Sequence, residues 1–418
     1  MTLESWADWL RNTTAPADVI HLHIQDTLAA FFTGLRTQDG CALARRYRGL
    51  GQDYPAAVAA IARLSECDDI HLASCVTPGS VVIPVALAFS QNRTAAEVHH
   101  AISAGYAAGL SWGQAIGGVK ALARGVWPTL FVAPVMAAVT AALLNGSKRE
   151  QFTHVIAQAL NAPTGRVSHL VGTRWQLFAD AVTRGLRAAD SVGHGSPADQ
   201  SPLSKNWLAA QAGHDEIDIS ALESPSASIS QVGFKPFPIA RQGANAVIAF
   251  QRVLARGIEP HRIDSIEVFV PVVNVALLTR PVADDRLSRL ANLAFQLACA
   301  ALASEMLYDS ERAGQHAQLT EFAQRVTVHA ASDLEGHMPE RWPARAIVTA
   351  GKDRYEETVT NAPFDYDAPE LASLLTAKWR RLLNAEESAL IAAAPGGYPM
   401  LWQAIERLMT MAAEKTEG

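Results

Sequence analysis

From residue 6 to about residue 189, apolar residues return every three or four positions, interrupted only at Gly, Pro and Asn. No run in this half alternates with period two for long enough to make a strand. The pattern therefore restricts the first half of the chain to helices whose apolar faces bury one another. Residues 20–35 read as an amphipathic helix ending near Gly34. Helices are predicted again over 54–64, 81–90, 95–116, 129–144 and 152–160, each bounded by a turn signal such as Thr77-Pro78-Gly79 or Asn145-Gly146-Ser147. A chain of 418 residues exceeds one ordinary core, so two domains are expected. A hydrophobic fraction of 49 % with 18 % charged residues suits packed helices rather than disorder.

Between residues 191 and 230 the composition shifts to Ser, Pro, Gly, Asp and Gln, which marks a connecting segment and a domain boundary. Beyond it, 263–270, 325–329, 344–350 and 355–359 are short, β-branched and alternating, and they flank helical patterns at 242–256 and 287–307. This predicts a few antiparallel strands in a small α+β unit. The tail is helical over 368–383 and 398–413 and is expected to pack back on the first domain. The fold class is mainly α: a large all-helical domain over 1–230, completed by 368–418, and a smaller α+β lid domain over 231–367.

A formal net charge of −6 without a long Lys/Arg run lacks the electrostatic footprint of a nucleic-acid binder, so no nucleic-acid partner is expected. The first 26 residues carry Glu4, Asp8 and Asp18 and no basic region before an apolar stretch, unlike a secretory leader. The longest apolar runs are shorter than a membrane span. A soluble, cytoplasmic protein with no membrane partner is expected. The four cysteines, Cys41, Cys67, Cys75 and Cys299, are irregularly spaced and read as small buried hydrophobes. His21/His23 and His99/His100 have no third ligand at useful spacing, so neither a metal nor another cofactor is expected.

The polar positions that carry chemistry gather at the ends of apolar helices. Asp68, Asp69 and His71 stand on a segment that reads as too polar for a core, just before Thr77-Pro78-Gly79-Ser80 and an apolar helix. Charge is thus collected beside a helix N-terminus, whose free N–H groups favour anions. A second cluster is Gly125-Val126-Trp127-Pro128-Thr129. A third is Gly172-Thr173-Arg174-Trp175-Gln176, leading to Asp180 and Arg184. The fourth, Phe234-Lys235-Pro236-Phe237-Pro238-Ile239-Ala240-Arg241, is a rigid Pro-rich segment that sets Lys235 and Arg241 before a helix.

In this order the clusters resemble the MmgE/PrpD family, whose members include 2-methylcitrate dehydratase, cis-aconitate decarboxylase and iminodisuccinate epimerase. Asp68-Asp69 with residues 77–84 stand where the family has two Asp residues and then His-Pro-Gly-Ser; residues 125–129 resemble its Gly-x-His-Pro-Thr turn; residues 235–241 resemble its Lys-Pro-Tyr-Pro-x-x-Arg segment. Trp342-Pro343-Ala344, Asn361-Ala362-Pro363 and Lys378-Trp379-Arg380 are also similar. The resemblance implies a helical domain with an α+β lid, a homodimer, and a site between the two domains. It implies a small di- or tricarboxylate substrate that loses a proton beside a carboxylate or carbonyl, or a carboxyl group, without a metal.

Such chemistry needs a general base, cations for the carboxylates and an acid for the leaving group. Lys235, Arg241, Arg174 and Arg184 supply cations, Arg in bidentate fashion. The family's histidines, however, are replaced: Thr77 stands before Pro-Gly-Ser, Trp127 stands before Pro-Thr, and the lid-helix histidine is missing near Ala244. The lysine of the third cluster corresponds to Arg174 or Gln176. Thr and Trp do not exchange protons usefully near neutral pH. Asp68, Asp69 and His71 remain to titrate, and repulsion between the two carboxylates would raise one toward a useful base, with His71 as proton carrier. The expected catalytic residues are Asp68, Asp69, His71 and Lys235; the expected substrate-binding residues are Thr77, Ser80, Trp127, Arg174, Gln176 and Arg241. His169 and His194 are second-rank candidates. In the competing structural assignment, Asp69 caps a helix and Asp68 pairs with an Arg. The expected function is a lyase or isomerase on a small carboxylic acid, acting by metal-independent proton abstraction and elimination. The alternative is a catalytically impaired relative that serves as a binding or partner protein.

Overall fold

Apolar helices end where chain breakers stand, and the ends assemble the site. The computed structural model describes residues 2–49, 51–161, 171–196, 198, 205–283, 285–313, 316–393 and 397–414, and the chain is mainly helical. It divides into two units, residues 1–233 with 382–418, and residues 234–381.

The first unit is built on helices α1 (Ala17–Leu35), α2 (Tyr54–Leu64), α3 (Gly79–Ala88), α4 (Ala95–Ala115), α5 (Pro128–Leu144) and α6 (Val171–Gly193). A capping box opens α4: Thr94 Oγ1 accepts from the Glu97 N–H at 3.3 Å, and the Glu97 carboxylate accepts from the Thr94 N–H at 2.7 Å. Pro128 opens α5 at a position whose N–H would have no intrahelical acceptor. Helices α3 and α5 are apolar on nearly every side and are buried accordingly. Helix α5 packs against both α4 and α6. Close approach to α4 depends on Gly105, where a Cβ would lie 2.2 Å from Thr140 Oγ1 and 2.9 Å from Val82. No helix among the described residues is long and apolar enough to cross a membrane.

The second unit holds a four-stranded sheet of β1 (Ser265–Val270), β2 (Val326–Ala330), β3 (Ala344–Ala350) and β4 (Asp353–Val359), in the order β2-β1-β3-β4. Strands β1/β3 and β3/β4 are antiparallel, but β1 and β2 run parallel, so the expectation of antiparallel strands is corrected. Strand alternation does not encode direction; here a helical connection from 271 to 325 returns the chain to the same end of the sheet. Ile266, Val268, Ala346 and Val348 share a core with Val247 and Phe250 of α7 (Arg241–Leu254) and Leu297 of α8 (Leu293–Leu302).

The single helix expected over 287–307 is broken into Arg286–Ala291, α8 and a 3₁₀ turn Ser304–Leu307. Asn292 makes the break: its backbone is extended and its side chain caps the Phe295 N–H at 2.8 Å. The helix Leu371–Leu382 falls with the second unit as far as Arg381, not with the first as expected from 368 onward. Arg381 lies over the Tyr308 ring of that unit at 5.1 Å. A helix at Ala385–Ala392 was not expected, although Asn384 and Glu387 form a capping box there.

Candidate functional site

Every residue from Glu66 to His71 is buried, which corrects the expectation of a segment too polar for the core. Each charge is met by a partner, and that is what makes burial tolerable. Glu66 and Cys75 take left-handed backbone conformations at φ 55° and 53°, turning the loop at its two ends. Asp69 Oδ1 accepts from the Gly79 N–H at the start of α3 at 2.9 Å, and Oδ2 accepts from the Tyr106 hydroxyl at 2.6 Å and from His23 Nδ1 at 2.8 Å. A Cβ on residue 79 would lie 2.6 Å from Thr27 Oγ1 and 2.7 Å from Asp69 Oδ2 and Tyr106 Oη, so the arrangement requires glycine there. Burial, and then the Asp69 charge, push the Tyr106 phenol well above its usual pKa, so it remains a donor. Asp69 thus ties together α1, α3 and α4.

Asp68 faces Arg63 at 3.4 Å, and the same guanidinium pairs with Glu66 at 2.9 Å. Burial pulls the Arg63 pKa down, and the carboxylates of Asp68 and Glu66 more than offset it, so Arg63 stays charged. Arg63 also lies 5.3 Å from the centroid of the Trp127 ring, and Arg174 lies over that ring at 3.9 Å. Phe178 stacks on Trp127 at 5.4 Å and Trp175 meets it edge-on at 6.0 Å. Trp127 is buried, whereas Arg174 and Gln176 are half-buried.

His71 Nδ1 receives the Ser74 N–H at 3.2 Å and pairs with the Ser74 hydroxyl at 2.8 Å. With Nδ1 accepting, the ring proton is assigned to Nε2. Burial lowers the His71 pKa to about 4, so the ring is a neutral imidazole at pH 7. The Thr77 N–H donates to Thr129 Oγ1 at 3.1 Å, the two hydroxyls lie 3.2 Å apart, and the Ser80 hydroxyl donates to the Thr77 carbonyl at 2.9 Å. Both hydroxyls therefore help build the entry to α3.

In the second unit Lys235 and Arg241 are both buried. Arg241, the first residue of α7, donates to Asp365 at 2.7 Å and to Asn245 at 3.1 Å. Asp365 accepts the Ala362 N–H at 2.8 Å, and Asn245 donates to the Trp342 carbonyl at 2.8 Å. His194 is exposed at the end of α6, and His169 lies outside the described residues. The structure gathers Asp68, Asp69, His71 and Thr77 on one loop with Ser80 in the first turn of α3 that follows it, and gathers Trp127 and Arg174 around the Arg63 that serves Asp68. Sequence reasoning missed His23, Arg63 and Tyr106. A signal existed for Arg63, the only charged residue in the otherwise apolar α2, and for His23, which lies on the apolar face of α1 with Ile20 and Ile24.

Residues 28–219 match the MmgE/PrpD N-terminal domain, and residues 237–391 match the MmgE/PrpD C-terminal domain. No curated protein sequence matches the chain. The family is generally one of dehydratase-type lyases. The two domains follow each other in order over most of the chain, and the loop of Asp68 and Asp69, the Trp127 turn and the Arg174 helix all lie within the first of them: the protein belongs to the MmgE/PrpD family.

Proposed function

We propose that the protein is a lyase or isomerase acting on a small carboxylic acid, by metal-independent proton abstraction and elimination. The observation that carries this reading is the match to both family domains, in order, over most of the chain. The site chemistry supports a division of roles. Asp69 has three donors and serves as a fixed anion that builds the site. Asp68, whose contact with Arg63 is long, is the proposed proton acceptor. His71, a neutral ring with its proton on Nε2, is the proposed hydrogen-bond donor to the oxygen that gathers charge as the α-proton leaves. The α-C–H electron pair then forms the double bond as the β-substituent departs with its own pair and takes a proton from an acid. Arg174 and Gln176 are the proposed carboxylate binders. A homodimer is proposed on family grounds, to be read by sedimentation velocity.

A second reading is favoured by Trp127. It fills the space beside Arg63 and Arg174 at a position where the family turn has a histidine, as a binding protein without turnover would allow. Product analysis by proton NMR after incubation with 2-methylcitrate, cis-aconitate and iminodisuccinate separates the two. Product from any of them, lost in Asp68→Asn, supports the enzyme; binding without product supports the second reading.

A further inference from the structure

The two histidine pairs, His21/His23 and His99/His100, each send one ring to the same hydroxyl. Tyr398 opens the last helix, α9 (Tyr398–Glu414), and is buried; its hydroxyl lies 2.6 Å from His99 Nε2 of α4 and 3.2 Å from His21 Nε2 of α1. The other two rings are turned elsewhere, His23 to Asp69 and His100 to the Arg11 carbonyl at 2.8 Å. A phenol has one proton to give and accepts through its oxygen. The short contact is assigned to the phenol donating to His99 Nε2, and the longer one to the His21 Nε2–H donating to the phenol oxygen. All three groups are satisfied in this way only while His99 is neutral. A proton on His99 Nε2 turns that acceptor into a donor, leaves the phenol proton facing it, and sets a cation edge-on to the His21 ring at 5.1 Å.

Burial, and then the neighbouring His21, hold the His99 imidazole below its usual 6.5, while burial pushes the Tyr398 phenol up to about 12, so the phenol keeps its proton. Carboxylates on the packed helices are engaged elsewhere: Glu97 with Thr94 and Arg93, Glu387 with Arg36, Glu406 with Trp402 Nε1, and Glu414 with Arg48. Asp18, a turn before His21, is exposed. Helix α9 also packs against α3, which carries no ionisable side chain, and against the helix Gln38–Arg46 with its Asp39, Arg45 and Arg46. Beyond its first turn α9 is anchored by the buried Leu401, Ile405 and Met409. We propose that His99, Tyr398 and His21 form a proton-released clip: with His99 neutral the phenol ties α1, α4 and α9 together, and a proton on His99 opens the clip and frees the first turn of α9. Both imidazoles are half-buried, so solvent protons reach the cluster without unfolding. The clip is independent of the reaction proposed above; it is closed near neutral pH and opens in mild acid.

Amide hydrogen exchange of the full-length protein at pH 7.5 and pH 5, read by mass spectrometry and corrected for the intrinsic rate at each pH, tests the clip. The informative amides are those of residues 401–404, whose helical bonds begin with the Leu401 N–H on the Gly397 carbonyl at 2.9 Å. In His99→Gln, Oε1 can accept from the phenol but takes up no proton, and acid changes elsewhere in the molecule are shared with wild type. The expected result is that acidification lowers protection of these amides at least tenfold more in wild type than in His99→Gln. Tyr398→Phe should be less protected than wild type already at pH 7.5 and fall no further on acidification than His99→Gln. Equal falls in wild type and His99→Gln, or a wild-type fall retained in Tyr398→Phe, would overturn the proposal. Circular dichroism at both pH values confirms folding of each variant; should His99→Gln fail to fold, the comparison of wild type with Tyr398→Phe decides by the same criterion.

Discussion

Asp69 joins three helices of the first unit, because one carboxylate accepts from a helix N-terminus, a phenol and an imidazole. Replacing it by Asn keeps the shape and turns one acceptor into an NH₂ group facing donors. Removing one partner of a buried charged network typically costs about 3–5 kcal/mol. Asp69→Asn is therefore expected to lower unfolding stability by about 3 kcal/mol in urea titration; a loss below about 0.5 kcal/mol, the scale of ordinary surface changes, would refute the role given to it. His71 adds a pH dependence of known sign. Its folded pKa of about 4 lies below the ordinary 6.5, so the folded state holds its ring neutral while the unfolded chain takes up a proton. Its contribution is present above pH 6.5 and is lost as pH falls toward 4. At 1.36 kcal/mol per unit this amounts to about 3 kcal/mol. His99 is lowered as well, by burial and then by His21, and acts in the same direction. Urea midpoints at pH 7 and pH 5 should therefore differ less in His71→Asn, whose Oδ1 can replace Nδ1 as acceptor from Ser74, than in wild type; equal differences would contradict the lowered pKa.

At the scale of elements, the first unit is held by helices that approach closely where one carries glycine. A Cβ at Gly105 would strike Thr140 Oγ1 at 2.2 Å, while among the described residues nothing stands within 4 Å of a Cβ at Gly193, at the end of α6. Forcing a methyl group into packed space costs about 1–3 kcal/mol, whereas Ala for Gly in an open helical site is neutral or stabilising. Thermal unfolding should thus show Gly105→Ala destabilised and Gly193→Ala unchanged or improved, and a stable Gly105→Ala would show that the α4–α5 contact yields. These helices were legible because three-and-four spacing is local: the helices expected over 54–64 and 129–144 match α2 and, within a residue, α5. The parallel pairing of β1 and β2 was not, since direction is set by what lies between the strands. The Asn292 break was also hidden, because the apolar period runs on through it.

For the whole molecule, the motif order in the sequence pointed to the family that both domain matches establish. The acid–base groups were harder to read. Adjacent aspartates in a sequence suggest mutual repulsion, but in the fold Asp68 turns to Arg63 and Asp69 to His23, Tyr106 and Gly79, partners 5 to 46 positions away in the chain. Such partners arise only from tertiary packing. The same is true of the Arg63–Trp127–Arg174 group, which joins three separate helical segments. The measurement that bears most directly on the proposed chemistry is deuterium exchange at the carbon beside a carboxylate, followed by NMR in heavy water with 2-methylcitrate, cis-aconitate and iminodisuccinate. The account predicts that wild type exchanges or converts at least one of them and that Asp68→Asn does so at least a hundredfold more slowly, the scale of a lost general base. No exchange and no conversion of any of the three by folded wild-type protein would contradict it.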